Sequence, residues 1–292
     1  MKQLLVCFSL FFLFACAESE PPTVMSDEVK DDHAFSIESL QLVDPEAKGS
    51  LFIIGGGKRP PSLVQEMIDL MPSKDSLIVI IPSASSEPDT SAFYATKQFT
   101  ELGCTQVESF FFGLEQSEGL KSGLPHASLI YICGGDQNRF MEVVKKRGLK
   151  EDLHQAFKNG CVIAGTSAGA AVMSEVMITG DQQLEPEYES TYRRLKANNG
   201  IYSEGLGLLQ HAIIDQHFVE RSRYNRALTA MHDHPNTPVF GIGESTALVV
   251  SNNGFSVAGA GQVVLFSPGE SSANENGLLE MSEVEITVMT AK

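Results

Sequence analysis

The sequence predicts an α/β domain in which a largely parallel sheet is covered by helices and finished by antiparallel strands. Three observations lead there. Short β-branched or apolar runs alternate with longer amphipathic stretches through most of the chain, the pattern of a sheet whose strands are connected by helices. After Thr246 this alternation gives way to closely spaced strand patterns joined by turn residues. Finally, 292 residues with 42% hydrophobic content suffice for one large core and are too apolar for a disordered chain.

In chain order, the first segment is not part of that fold. An apolar run from Leu4 to Ala15 follows Met1-Lys2-Gln3 and ends at Cys16; it is too short to span a bilayer and suits the core of a signal peptide. Leu13-Phe14-Ala15-Cys16 has the form of a bacterial lipobox, in which the cysteine thiol is acylated and becomes the new N-terminus. Residues 1–16 are therefore expected to direct export and to leave a membrane-anchoring lipid on Cys16. Residues 17–48 are polar and acidic, with Pro21 and Pro22 and little apolar periodicity, and suit a flexible tether to a domain over 49–292.

Within that domain, strands are expected at 51–54, 77–81, 106–112, 129–133, 162–164, 212–215 and 239–242. Stretches with the 3.6-residue spacing of surface helices separate them, at 62–70, 92–102, 139–146, 149–158 and 221–232. Strands at 247–250, 255–258 and 263–266 follow, the first two joined by Ser251-Asn252-Asn253-Gly254, with a last strand at 284–289. The segment 181–204, rich in Glu, Gln, Asn and Tyr, has no clear period and reads as a loop beside the site.

A net charge of −16 argues against nucleic acid as a partner. The same field favours cationic or arginine-bearing ligands, although acidity also serves solubility alone. Cys7 and Cys16 belong to the targeting segment; Cys104, Cys133 and Cys161 form no CxxC pair and have no nearby His at metal spacing, so no structural zinc is expected.

Chemistry enters at Gly165-Thr166-Ser167-Ala168-Gly169, which follows an apolar strand and precedes the helix-compatible Ala170-Ala171-Val172-Met173. That context is a nucleophile elbow: a serine on a sharp strand-to-helix turn, with glycine on both sides because a Cβ there would collide. A phosphate-binding loop is the other reading of a glycine-rich turn, but no Gly-Lys-Ser/Thr follows. Serine needs a base. Of seven histidines, His217 stands at the C-terminal end of the 212–215 strand, the edge where α/β sheets place ligands.

Arg221, Arg223 and Arg226 follow His217 closely in an otherwise acidic chain, and Arg223 and Arg226 share a helix face. Their expected use is bidentate capture of substrate carboxylates, against surface ion pairing with Glu220 and Asp233. For the acid that orients the imidazole, Glu175, Asp181, Glu185, Glu187, Glu189 and Glu204 lie between Ser167 and His217, and the residues alone leave the choice open. Oxyanion donors are expected from the Gly135 amide, in Cys133-Gly134-Gly135-Asp136-Gln137, and from the Ala168 amide. Gly55-Gly56-Gly57 reads as a tight turn of peripheral importance.

The order Gly-Gly-Gly, Gly-Gly-Asp-Gln, Gly-Thr-Ser-Ala-Gly-Ala-Ala, Asp-Gln-His-Phe and Gly-Ile-x-Glu-Ser-Thr-Ala resembles the cyanophycinase-type serine peptidases, family S51, from about Leu51 to Phe266. The resemblance implies a flavodoxin-like domain related to class I glutamine amidotransferases, with Ser167 as nucleophile and His217 as base. It implies hydrolysis of cyanophycin, a polyaspartate carrying arginine on its β-carboxyls, to β-Asp-Arg dipeptides, with no metal or organic cofactor. Substrate contacts carry over to Gln137, Asp215, Gln216, Arg221, Arg223 and Arg226. The family's acid lies roughly twenty residues after the nucleophile, which brings Glu185 forward, with Asp181 as its competitor. Gly243 stands where relatives commonly hold Asp, and no role is transferred to Glu244. Small aspartyl or isoaspartyl peptides are the alternative substrate, and a noncatalytic surface lipoprotein binding acidic peptides is the rival from another class. The oligomeric state is open, with a homodimer among the expected assemblies.

Overall fold

Apolar runs bounded by glycine or proline become strands, and the amphipathic stretches between them become the covering helices. The computed structural model describes residues 41–112, 123–185, 187 and 189–292. The expected signal peptide and lipobox at 1–16, and the tether through residue 40, lie outside the described residues. In chain order come β1 (Ser50–Ile54), α1 (Pro61–Ile68), β2 (Ile78–Ile81), α2 (Pro88–Glu101), β3 (Val107–Ser109), β4 (Leu129–Ile132), α3 (Gln137–Arg147), α4 (Lys150–Lys158) and β5 (Val162–Thr166). Then follow α5 (Ala168–Ala171), β6 (Val176–Gln182), β7 (Gly200–Glu204), β8 (Ile213–Gln216), α6 (Tyr224–Asp233) and β9 (Val239–Ile242). The chain ends with β10 (Thr246–Ser251), β11 (Gly254–Gly259), β12 (Val263–Ser267), β13 (Glu270–Ala273), β14 (Leu279–Ser282) and β15 (Glu285–Met289).

Seven strands form one sheet in the order β11-β10-β1-β5-β4-β2-β3. Strands β1 to β5 run parallel, and β10 and β11 add an antiparallel edge. Because helices cover both faces, β2, β4 and β5 are buried along their whole length. Alternate residues feed two cores. Ile53, Val79, Ile130 and Ile163 pack with Phe140, Leu153 and Phe157 of α3 and α4; Phe52, Ile80, Tyr131 and Ala164 pack with Leu63, Met67 and Phe99 of α1 and α2.

Three expectations need correction. Leu42 and Val43 are buried in the first core and Asp44 pairs with Lys158 at 2.9 Å, so the packed chain begins before residue 49 and takes in the end of the expected tether. The strand carrying His217 is not in the large sheet: β8 pairs in parallel with β9, in a second sheet of order β15-β12-β9-β8. That sheet joins the first core through Phe240, Ile242, Val263 and Leu265. Nor is 181–204 simply a loop, because β6 and β7 pair antiparallel across it with a register shift between Ile178 and Gln182. Among the described residues no helix is long and apolar enough to cross a membrane.

Candidate active site

Strand β5 ends at Thr166 and α5 begins at Ala168, so Ser167 alone makes the turn, with φ 53° and ψ −111°. A non-glycine residue held at positive φ is strained by roughly 1–3 kcal/mol. Close packing on either side holds it there. A Cβ on Gly165 would lie 2.3 Å from the Gly169 carbonyl oxygen, and one on Gly169 would lie 2.3 Å from that of Ile132. Only glycine lets strand, elbow and helix approach so closely.

His217 comes to Ser167 from the other sheet. Its Nε2 stands 2.9 Å from Ser167 Oγ, and its Nδ1 stands 2.5 Å from Glu244 Oε1. β8 ends at Gln216 and β9 at Ile242, and these two residues are register partners in a parallel pair, which brings His217 and Glu244 past the same edge. Glu244 is in turn held through its backbone, whose N–H donates to Glu220 Oε2 at 3.0 Å. The carboxylate expected to orient the imidazole was Glu185, with Asp181 as competitor, and the structure corrects this. Glu185 stands 3.6 Å from Arg194, and the acid on His217 is Glu244, in the turn between β9 and β10 and outside the stretch between Ser167 and His217.

The end of β1 fastens all three residues. The carbonyl of Ile54 accepts from Ser167 N–H at 3.1 Å, that of Gly55 from His217 N–H at 2.6 Å, and that of Gly56 from Ser245 N–H, beside Glu244, at 2.9 Å. The glycines are required sterically as well: a Cβ on Gly56 would fall 2.3 Å from His217 Cε1, and one on Gly57 would fall 2.5 Å from Glu244 Oε2. Gly55-Gly56-Gly57 is therefore a central support of the site and not the peripheral turn expected. Gly56→Ala is expected to push the imidazole off line and lower kcat about 100-fold, as a displacement of order 1 Å does. Steady-state kinetics beside a circular dichroism spectrum checks this.

Burial holds the His217 imidazole below the ordinary histidine value; its hydrogen bond to the Glu244 carboxylate opposes the shift, and the Arg221 and Arg223 charges add to it. A depressed value means the ring stays neutral, and able to accept a proton, at pH values where an ordinary histidine is already charged. The acid limb of kcat/KM is accordingly expected below about 6.5. Arg221→Gln removes a cation that disfavours imidazolium and is expected to move that limb upward, which a pH profile of the two proteins reads directly.

The Ala168 N–H lies in the first turn of α5, where a helix supplies no acceptor of its own. The loop after β4 passes over Ser167: a Cβ on Gly134 would lie 3.3 Å from Ser167 Cβ, and Gly135, at φ 146°, packs its backbone against the Ala84 carbonyl. The loop that carries Gly135 and the helical turn that carries Ala168 thus both adjoin Ser167. Cys104, Cys133 and Cys161 are buried free thiols. Burial pushes Cys133 and Cys161 up to about 12, so neither offers a competing thiolate. Among the described residues no group of three His, Cys, Asp or Glu is placed to hold a metal ion.

Of the six expected substrate contacts, the structure gives several a structural setting. Asp215 is buried and takes Arg226 through both oxygens, with Nε to Oδ2 at 2.8 Å, while Arg223 Nη1 lies 3.6 Å from Oδ1. Arg223 also donates to the carbonyls of Gln216 and of Ser190, the latter at 2.9 Å. These three residues form one buried ion cluster under His217, not an open cationic surface. Gln137 donates its amide to the carbonyls of Ile178, at 3.2 Å, and Thr179, tying α3 to β6. Gln216 is buried with its Oε1 lacking a hydrogen-bond partner. Arg221 is partly exposed and near enough to His217 to act on its charge.

A family model described as peptidase family S51 matches residues 51–258. A cyanophycinase from Nostoc sp. is 33% identical over 241 residues, covering 80% of this chain and 78% of the relative. Another from Trichormus variabilis is 32% identical over 243 residues with the same coverage. The solved structure of a peptidase from an acI-B1 Actinobacterium has a TM-score of 0.60 over 85% of this chain and 96% of that one, at 20% identity, a likeness of fold.

Proposed function

The chain belongs to peptidase family S51 and is a serine-type peptidase, and on that premise we propose that it is an exported enzyme hydrolysing cyanophycin to β-Asp-Arg dipeptides through an acyl-enzyme on Ser167. One observation supports the mechanism above all others: an unbroken line from Ser167 Oγ through both His217 nitrogens to Glu244 Oε1. His217 Nε2 takes the Oγ proton as Oγ attacks a backbone carbonyl of the polyaspartate. Glu244 accepts from Nδ1–H, which fixes the tautomer and stabilises the imidazolium that forms. The Gly135 and Ala168 amides receive the developing oxyanion. The imidazolium then returns its proton to the leaving amine, and water, deprotonated by the same nitrogen, releases the acyl group and regenerates Ser167.

The substrate reading is supported by the cyanophycinase relatives, and the place of action by the signal-like run and Cys16. An insoluble polymer supplied from outside cannot be taken up whole, so an exported enzyme would meet it outside the cell or at its surface, where a lipid on Cys16 would keep it. The test is to incubate the full-length protein with purified cyanophycin beside its Ser167→Ala variant and to identify products by mass spectrometry. β-Asp-Arg from the wild type alone supports the reading. Cleavage of Asp-Leu without attack on the polymer would transfer the enzyme to short aspartyl peptides. Incorporation of an alkyne-labelled fatty acid in cells, lost on Cys16→Ser, tests the anchor.

A further inference from the structure

A cavity of about 280 Å³ opens at the C-terminal ends of β4 and β5 on the α1–α2 side of the large sheet, lined by Arg59, Ser91, Tyr94, Tyr131, Gly134 and Thr166 among others. It adjoins the nucleophile: Thr166 immediately precedes Ser167, and Gly134 packs over it. Tyr131 and Thr166 are only 2% and 5% exposed; their hydroxyls lie close enough for Thr166 to ease ionisation of Tyr131, and apart from each other neither has a partner at hydrogen-bond distance. Hydrogen-bonding capacity left unmet in a buried place is costly, and two hydroxyls with none but each other, lining one cavity beside Ser167, mark a place for a polar ligand.

The ligand's charge follows from Arg59. Gln98 clamps this residue with both ends of its amide, accepting from Arg59 Nε at 2.8 Å and donating to the Arg59 carbonyl at 3.1 Å. The guanidinium carbon lies 5.6 Å from the centre of the Tyr131 ring, a cation–π contact that supports it at the cavity wall. Among the described residues neither terminal nitrogen has a partner, and no carboxylate lies within ion-pair distance. The charge reaches the cavity: burial pushes the Tyr131 hydroxyl and the Cys133 thiol upward, and Arg59 is the cation that opposes it at both. Although the chain carries a net charge of −16, Lys58, Arg59 and Lys97 gather along the adjoining groove, with Glu101 paired to Lys97.

We propose that Arg59, with the Tyr131 and Thr166 hydroxyls, forms a carboxylate-binding subsite that takes a free carboxylate of the substrate flanking the scissile bond. Its position beside the chemistry rests on the reading of Ser167 as nucleophile. A planar fork with two open nitrogens suits a carboxylate and repels a substrate guanidinium, which must bind elsewhere. The subsite thus supplies the cation that the Asp215-bound Arg223 and Arg226 do not present openly.

Calorimetric titration of the full-length protein with N-acetyl-aspartate and with its neutral diamide tests this, with Arg59→Met and Arg59→Lys alongside and polymer hydrolysis measured in parallel. The wild type is expected to prefer the acid by about 10- to 100-fold, Arg59→Met to lose the preference, and Arg59→Lys to keep part of it. Melting curves show which variants are folded; if Arg59→Met is not, the partial preference of Arg59→Lys decides. Equal affinity of the wild type for acid and diamide, or an unchanged preference in a folded Arg59 variant, overturns the subsite. Selective acid binding without polymer cleavage would leave the subsite standing and remove the cyanophycin reading instead.

Discussion

Glu244→Gln is expected to lower kcat by about three to four orders of magnitude and Ser167→Ala by about six, with both proteins folded. The two losses differ because the residues do different work. On the proposed mechanism, removing Oγ deletes the nucleophile, so only backbone donors and substrate binding remain. Replacing Glu244 keeps the shape but removes the negative charge 2.5 Å from His217 Nδ1, and a glutamine amide that donates to Nδ1 holds the wrong tautomer. Glu185→Gln is the internal control. That carboxylate stands 3.6 Å from Arg194, whose side chain is 62% exposed, and its loss is expected to change kcat by no more than about twofold. Single-turnover kinetics on the three variants separates the acid that touches the imidazole from the one that the family resemblance brought forward.

Asp215→Ala is expected to cost about 3–5 kcal/mol of stability, read by denaturant unfolding. The Asp215 side chain is 0% exposed, and those of Arg223 and Arg226 are only 2% and 3% exposed. Deleting the carboxylate removes this countercharge from two guanidiniums held away from water, and the cost is chiefly that of its loss. Asp215→Asn keeps two polar partners and is expected to lose less. A surface residue that only contacts substrate would behave differently, raising KM while leaving the unfolding midpoint in place. Because Arg223 also binds the Ser190 carbonyl, the damage is expected to spread into the segment between β6 and β7.

Where a property is written in a local pattern, the sequence made it legible. The runs that become β1, β2, β4, β5 and β9 are apolar over four or five residues and that of β8 over three, and the elbow carries its glycines within two positions of Ser167. His217 was legible because it directly follows a strand. Glu244 carries the same signal, two residues past the end of β9, but finding it required knowing that β8 and β9 are parallel neighbours. Pairing between distant strands is not a local property, which also explains why the second sheet was not anticipated. β6 and β7 escaped because their mixed, half-exposed composition becomes strand only through their mutual pairing. The helical spacing of Arg223 and Arg226 placed them on one face, but not whether that face met solvent or Asp215. Glycine motifs are similarly mute: Gly56 and Gly57 matter because of the ring and carboxylate that a Cβ would strike, and neither neighbour is near in sequence.

The most direct test of the Ser167–His217–Glu244 account is covalent labelling by a fluorophosphonate, followed by intact mass measurement and peptide mapping. A single adduct is expected on Ser167, formed far more slowly in Glu244→Gln and at the wild-type rate in Glu185→Gln. A folded protein that takes no label, or takes it on another residue, would contradict it.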